Sequence, residues 1–201
     1  MVTIWLQLGG VVAFTLATLV LGRAIRHTPT KDAAVRLSRV SHAFFWGAMV
    51  APEFLGVVWP GLTHFDALLG LPSLPAPVAR WVVGVPLLLL GVFFTSASTR
   101  ALRNLGAGLM AFKLTQRVVD AQVYERVRNP MSLGAYLQFI AVSLLAGSSY
   151  LLLATLLAYI PAHAFNLRYF EELELSARYG ASYDAYRRRV PFLLPRLSRT
   201  N

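Results

Sequence analysis

Residues 124–136 read Tyr-Glu-Arg-Val-Arg-Asn-Pro-Met-Ser-Leu-Gly-Ala-Tyr, a short basic segment that runs straight into a long apolar one. Asn129 is a residue type that caps helix starts and Pro130 suits the first helical position, so a helix is expected to begin at this junction. Arg128 and the free amides of Met131 to Leu133 would then face one point, and such a point attracts anions. Taken alone, the junction reads first as a capped membrane helix with a flanking arginine, because such junctions are common.

Outward from the junction, hydropathy sets the fold class. The chain is 56% hydrophobic and 14% charged, with a mean hydropathy of +0.56, which describes an integral membrane protein rather than a soluble globule. No ten-residue alternating strand pattern occurs, so an all-α, polytopic membrane protein is expected rather than a barrel. Five spans are expected, over 2–22, 40–59, 80–98, 133–147 and 150–167. The last two form a helical hairpin divided by Gly147-Ser148-Ser149, and helical spacing continues to Tyr179, where Gly180 is placed as a left-handed stop. A final helix is expected over 182–189. The first span lacks a preceding basic region and is followed by Arg23 and Arg26, the reverse of a secretory signal, so it reads as retained.

The charge pattern orients these spans. Of the 19 Lys and Arg residues, five lie in 23–39, six in 99–132 and seven from Arg168 onward, with Arg80 alone in another connection. An odd number of crossings puts the three basic groups on one face, the cytosolic face by the positive-inside rule. The net charge of +10 therefore points to topology and anionic headgroups and not to nucleic acid. With 0 cysteines, disulfides, thiolate metal sites and cysteine nucleophiles are excluded. Residues 1–98 form an expected region of three spans, and 99–201 a catalytic region with the hairpin and cytosolic carboxy-terminal helices.

Several polar residues are out of place for a simple anchor. Glu53 falls within the second span near Pro52, where a carboxylate must pair, protonate or face a polar cavity. Trp46 and Trp59 would anchor that span at the interfaces. Tyr159, His163, Asn166 and Phe170 recur at helical spacing, a partly polar stripe leading toward Glu171 and Glu172, and Gly134 with Gln138 makes a similar stripe on the other half of the hairpin. Adjacent glutamates on a helix project about 100° apart, so one can face a pocket while the other faces water or Arg168. Gly106-Ala107-Gly108 is, by itself, a turn or close-packing signal as much as a ligand contact.

Taken in order, Arg128-Asn129-Pro130-Met131, Gly134, Glu171-Glu172-Leu173 with Leu175, Tyr179-Gly180, Tyr183, Tyr186, Arg189-Val190-Pro191 and Pro195 resemble the carboxy-terminal half of the isoprenylcysteine carboxyl methyltransferase and phospholipid methyltransferase superfamily. The resemblance covers about residues 100–197. It implies an integral-membrane enzyme that uses S-adenosylmethionine in a cytosol-facing pocket. Carried over residue by residue, the cofactor-site candidates are Gly106, Gly108, Tyr124, Arg128, Asn129, Pro130, Gly134, Glu171 and Glu172. The candidates for catalytic roles are Glu171, Glu172, Arg168 and His163, and no metal is required. The chain departs from the family at Asn129, where many members have His, at Ser132, where many have Tyr, and at Gln122, where Gly often precedes the tyrosine.

The chemistry of the cofactor suits these residues. An arginine with helix-start amides matches its carboxylate, and a glutamate matches its ammonium group or ribose diol. The acceptor implied is lipophilic, an isoprenylcysteine-type carboxylate or a phospholipid amine, with a small hydrophobic thiol also open, and it enters from the bilayer. Two other readings stand beside this one: a non-catalytic, lipid-binding membrane protein on the same scaffold, and a nicotinamide-dependent membrane reductase of related architecture.

Overall fold

The computed structural model describes residues 2–58, 61, 63–105 and 114–195. Gly106, Gly108 and Trp59 lie outside the described residues. Within them every regular element is helical: α1 (Val2–His27), α2 (Lys31–Phe44), α3 (Ala51–Val58), α4 (His64–Leu68), α5 (Pro77–Asn104), α6 (Pro130–Ala146), α7 (Ser149–Tyr179) and α8 (Ala181–Arg189). A π-helical turn, Phe45–Val50, joins α2 to α3, and two more, Thr155–Tyr159 and Leu167–Glu171, lie within α7.

Three helices, α1, α5 and α7, are long and apolar enough to cross a membrane, and α6 is a shorter apolar helix. The expected second span, 40–59, falls on a helix broken by the first π turn, so it and the 17-residue α6 do not reach that standard on their own. The expected third span extends through Pro86 to a 28-residue helix. Large apolar side chains on the outer faces, among them Trp5, Val12, Leu16 and Val20 on α1 and Val82, Leu89 and Phe93 on α5, are exposed, as a lipid-facing surface requires.

The core is organised on α1. Its buried residues Ile4, Gln7, Val11, Phe14, Thr18, Leu21 and Ile25 alternate steps of three and four, the repeat that keeps one face of a helix turned inward. That face packs against α7 on one flank and against α2, the π turn after it and α4 on the other. Ile4 packs with Phe65, Tyr150 and Ala154; Val11 and Phe14 with Met49 and Ala162; Leu21 and Ile25 with Ala34 and Phe170. Two polar positions in the seam set the register. Tyr150 donates to Gln7 Oε1 at 2.8 Å, and Asn166 Nδ2 donates to Thr18 Oγ1 at 2.9 Å and Ser41 Oγ at 3.2 Å. Bonds of this kind tie helices together where lipid offers no partner.

Helices α5 and α6 pack by a different rule. A Cβ at Gly91 would lie 2.8 Å from the Gly134 carbonyl oxygen, and one at Gly134 would lie 2.7 Å from the Gly91 carbonyl oxygen. Both positions must be glycine for the backbones to come this close. Gln138 Nε2 closes the contact by donating to Thr95 Oγ1 at 3.1 Å. The hairpin between α6 and α7 turns on Gly147, in the left-handed region at φ 72°, and on Ser148, whose Oγ accepts from the Leu151 amide at 3.1 Å.

Two of the π turns have a local cause. Ala51 bonds back to Trp46 and Ile160 to Thr155, each spanning five residues, and a proline follows directly at Pro52 and Pro161. A proline ring crowds the preceding turn and removes an N–H, and a widened turn accommodates both effects. The two turns bring Glu53 and Tyr159 together, and the buried Glu53 carboxylate accepts the Tyr159 hydroxyl.

Candidate functional site

Helix α6 starts where expected, with Pro130 buried at its first turn, but Asn129 does not cap it by its side chain. Asn129 Nδ2 instead donates to the Phe192 carbonyl at 3.1 Å, and the Arg128 amide donates to the Pro191 carbonyl at 2.9 Å. The returning tail outcompetes the cap because it satisfies both groups at once. Tyr186 on α8 reinforces it, donating to the Tyr124 carbonyl at 2.9 Å on the short 3₁₀ turn Gln122–Glu125. Tyr183, Tyr186 and Val190 form the small core beneath this junction. The segment around Arg128 is thus held between α6 and the carboxy-terminal tail.

Glu172 arrives from the other side. It follows the π turn Leu167–Glu171, and its amide bonds back five residues to Leu167. Arg128 Nη2 lies 2.8 Å from Glu172 Oε1, with only 5% and 8% of the two side chains exposed. Arg168 Nη1 and Arg187 Nη1 stand 3.4 and 3.8 Å from Glu172 Oε2. One buried carboxylate therefore faces three guanidinium groups, and the pair most removed from water is the one joining the two motifs. Arg128 therefore stands at the helix start as one half of an ion pair with Glu172. Its Nε is buried with no hydrogen-bond partner among the described residues. The Phe192 ring lies under Arg168 at 4.3 Å and near Arg128 at 5.7 Å, so it shields one side of the cluster while favouring cations.

Glu171 takes a different environment, as the 100° offset requires. It is half-buried, has no hydrogen bond among the described residues, and acts electrostatically on Tyr124, Tyr136 and Tyr183. Burial, first of all, pushes the phenols of Tyr124, Tyr183 and Tyr186 above the ordinary tyrosine range, so they remain neutral around this acid at neutral pH.

The structure gathers Tyr124, Arg128, Asn129, Pro130, Arg168, Glu171 and Glu172 at one end of the bundle. It does not bring Gly134 or His163 into the arginine cluster. Gly134 faces α5. His163 precedes Glu172 by about 13 Å of helix axis, stacks on Phe45 at 4.8 Å and bonds the Tyr136 hydroxyl at 2.9 Å. The polar stripe of α7 is likewise consumed by neighbouring helices: Tyr159 by Glu53, His163 by Tyr136, Asn166 by Thr18 and Ser41, while Phe170 packs in the core. Sequence reasoning missed Arg187 and Phe192. Arg187 stands in a run of three arginines and nothing in its type separates it from Arg188 and Arg189. Among the described residues, no group of three His, Asp or Glu side chains is arranged to hold a metal.

Comparison with known proteins adds a family. Residues 79–182, just over half of the chain, match the family model described as phospholipid methyltransferase. A curated relative, methanethiol S-methyltransferase 2 of Bradyrhizobium diazoefficiens, is 41% identical over 75 residues, which make up 37% of this chain and 27% of that protein. The chain thus matches about a quarter of that relative's length. No solved structure matches.

Proposed function

Because the chain belongs to the phospholipid methyltransferase family, we infer that it transfers a methyl group from S-adenosylmethionine to a lipophilic acceptor at the cytosolic face of a membrane. The observation that carries this reading is the buried Arg128–Glu172 pair at 2.8 Å, which unites the two separated motifs. The fit to the cofactor rests on charge and on one atom. Three arginines face Glu172, with Asp184 beside Arg187 as the second acid, so one positive charge is left over; buried Arg128 Nε has no acceptor among the described residues, so a carboxylate can be taken up there. Glu171, without an ion pair among the described residues, suits the ammonium group beside it.

The bound cofactor supplies a methyl group on a sulfonium, whose leaving thioether is neutral, so alignment with the acceptor is the main requirement. Arg128, Arg168 and Arg187 orient the amino-acid end. Glu172 fixes Arg128. The Phe192 ring excludes water from one side of the arginines. An acceptor thiol or amine must give up a proton as its bond to the methyl carbon forms, whereas a carboxylate acceptor has none to lose. His163 and Tyr136 lie on the bilayer side of Glu171 and suit the acceptor end. The name of the relative supports a small thiol as one acceptor class beside isoprenylcysteine-type carboxylates and phospholipid amines.

Calorimetry on the full chain in detergent tests the reading. S-adenosylhomocysteine should bind, and Arg128→Lys should weaken it by about tenfold or more, since a charged fork contact is worth about 1.5–3 kcal/mol. A wild-type chain that binds no adenosyl ligand overturns it. Transfer of labelled methyl to methanethiol, to a prenyl thioether acid or to phosphatidylethanolamine then separates the acceptors.

A further inference from the structure

A cavity of about 350 Å³ lies on the other side of the end of α7 from the Arg128–Glu172 pair. Glu172 and Glu174 are two positions apart and so project to nearly opposite sides of the helix. Glu172 meets Arg128, whereas the buried Glu174 pairs with Arg178 at 2.8 Å, and Arg178 lines the cavity. Lys31, Val35 and Arg39 form the facing wall, at steps of four along α2, which put all three on one face. Thr115, Gln116 and Tyr179 complete the polar lining; Tyr179 donates its hydroxyl proton to the Thr115 carbonyl and accepts from Arg178 Nη2 at 2.8 Å, with the Thr115 hydroxyl 2.8 Å from it.

The charge of this cavity is unbalanced. No Asp or Glu lines it, and of its three cations only Arg178 has a carboxylate partner among the described residues. Two uncompensated cations, the Thr115 hydroxyl and the Gln116 side chain converge on one concave space that holds no group of negative charge. Its depth points to the source of the missing anion. The cavity closes on the last residues of the 31-residue α7 and on the start of α2. At 1.5 Å per residue α7 is about 46 Å long, against about 30 Å of hydrocarbon and about 40–45 Å with the headgroups. Because α7 outruns the hydrocarbon, its last residues and the cavity they close lie at or just outside the headgroup layer, on the end of the bundle where the basic residues gather.

We propose that this cavity binds a phosphate group, that of an anionic membrane phospholipid, at a site separate from the methyl-transfer site. Arg39 and Lys31 contact the phosphate oxygens, and the Thr115 hydroxyl and the Gln116 amide orient them. The site holds the start of α2 against the end of α7, so the bound lipid braces the cytosolic ends of the two helices.

Native mass spectrometry of the purified full chain tests this with phosphatidylglycerol and phosphatidylcholine as probes. Phosphatidylglycerol should be retained in preference, and Lys31→Gln and Arg39→Gln should each reduce retention about fivefold, the scale of one basic residue at an anionic surface. Arg39→Lys should restore most of it, and Arg100→Gln, outside the cavity, should leave it unchanged. Equal retention of the two lipids, or an Arg100→Gln loss as large as that of Arg39→Gln, overturns the site in favour of a diffuse basic surface. Protection by inorganic phosphate without retention of either lipid overturns the assignment to lipid. Adenosyl-ligand binding is measured in parallel, so a failure here leaves the methyl-transfer reading untouched.

Discussion

Two buried carboxylates, Glu172 and Glu53, show two solutions to the same physical problem. Glu53 sits among apolar helices and is matched by a neutral phenol, Tyr159, at a contact that one proton satisfies. Glu172 sits at the end of the bundle and is matched by three arginines from three segments of chain. The first arrangement closes on itself. The second joins one buried arginine, Arg128, to two partly exposed ones, Arg168 and Arg187, and leaves Arg128 Nε without a partner among the described residues, which is the mark of a place built for something more than packing. The difference teaches that burial of an acid in a membrane protein is not in itself a sign of function; the sign is what its partners have left unsatisfied.

The comparison can be broken most directly at Glu172. Glu172→Ala leaves Arg128 buried without its partner and should cost about 3–5 kcal/mol of stability, read by thermal unfolding in detergent, together with adenosyl-ligand binding. If Glu53→Gln costs as much, the contrast between the two acids fails. A smaller loss is expected from Gly134→Ala, about 1–3 kcal/mol, because its Cβ would meet the Gly91 carbonyl oxygen and force α5 and α6 apart. This effect should appear in unfolding and not in the affinity for the adenosyl ligand in the folded fraction. That result would sharpen the assignment of Gly134 to helix packing.

Asn129→Ala should remove about 1 kcal/mol, the worth of its bond to the Phe192 carbonyl, and should loosen the tail in hydrogen exchange rather than fray α6. Fraying confined to the start of α6 would restore Asn129 as a cap. Glu53→Gln keeps an acceptor for Tyr159 and should change stability by less than about 1 kcal/mol. The least effect on folding is expected from Arg187→Gln, at or below about 0.5 kcal/mol, since its side chain is 40% exposed and 3.8 Å from Glu172. A distinct loss of adenosyl-ligand affinity in that variant would place Arg187 in the binding set.

Much of this was legible in the sequence for identifiable reasons. Hydropathy located the helices, Gly147-Ser148-Ser149 marked the hairpin, and Gly180, at φ 56°, ended α7 where a left-handed residue was expected. The repeat along α1 is also written in the sequence, but Gln7 and Thr18 interrupt its apolar character, so it reads as a seam only once Tyr150 and Asn166 supply their partners. The pairing of Arg128 with Glu172 came within reach only through the resemblance, since nothing local connects residues so far apart. Asn129 was misread because its competitor, the Phe192 carbonyl, arrives from the far end of the chain. The polar stripe of α7 was legible as a face but its partners were not, because periodicity shows which residues share a face and not which neighbours claim them.

The turn Leu167–Glu171 differs from the other two π turns in having no proline after it to hold it open. It amounts to one residue more than an α-helix needs, stored inside the helix instead of in a loop. The extra residue advances the helix by about 100° about its axis. Glu171 and Glu172 stand at the edge of the surplus, so the widened turn sets which of the two carboxylates faces the arginines.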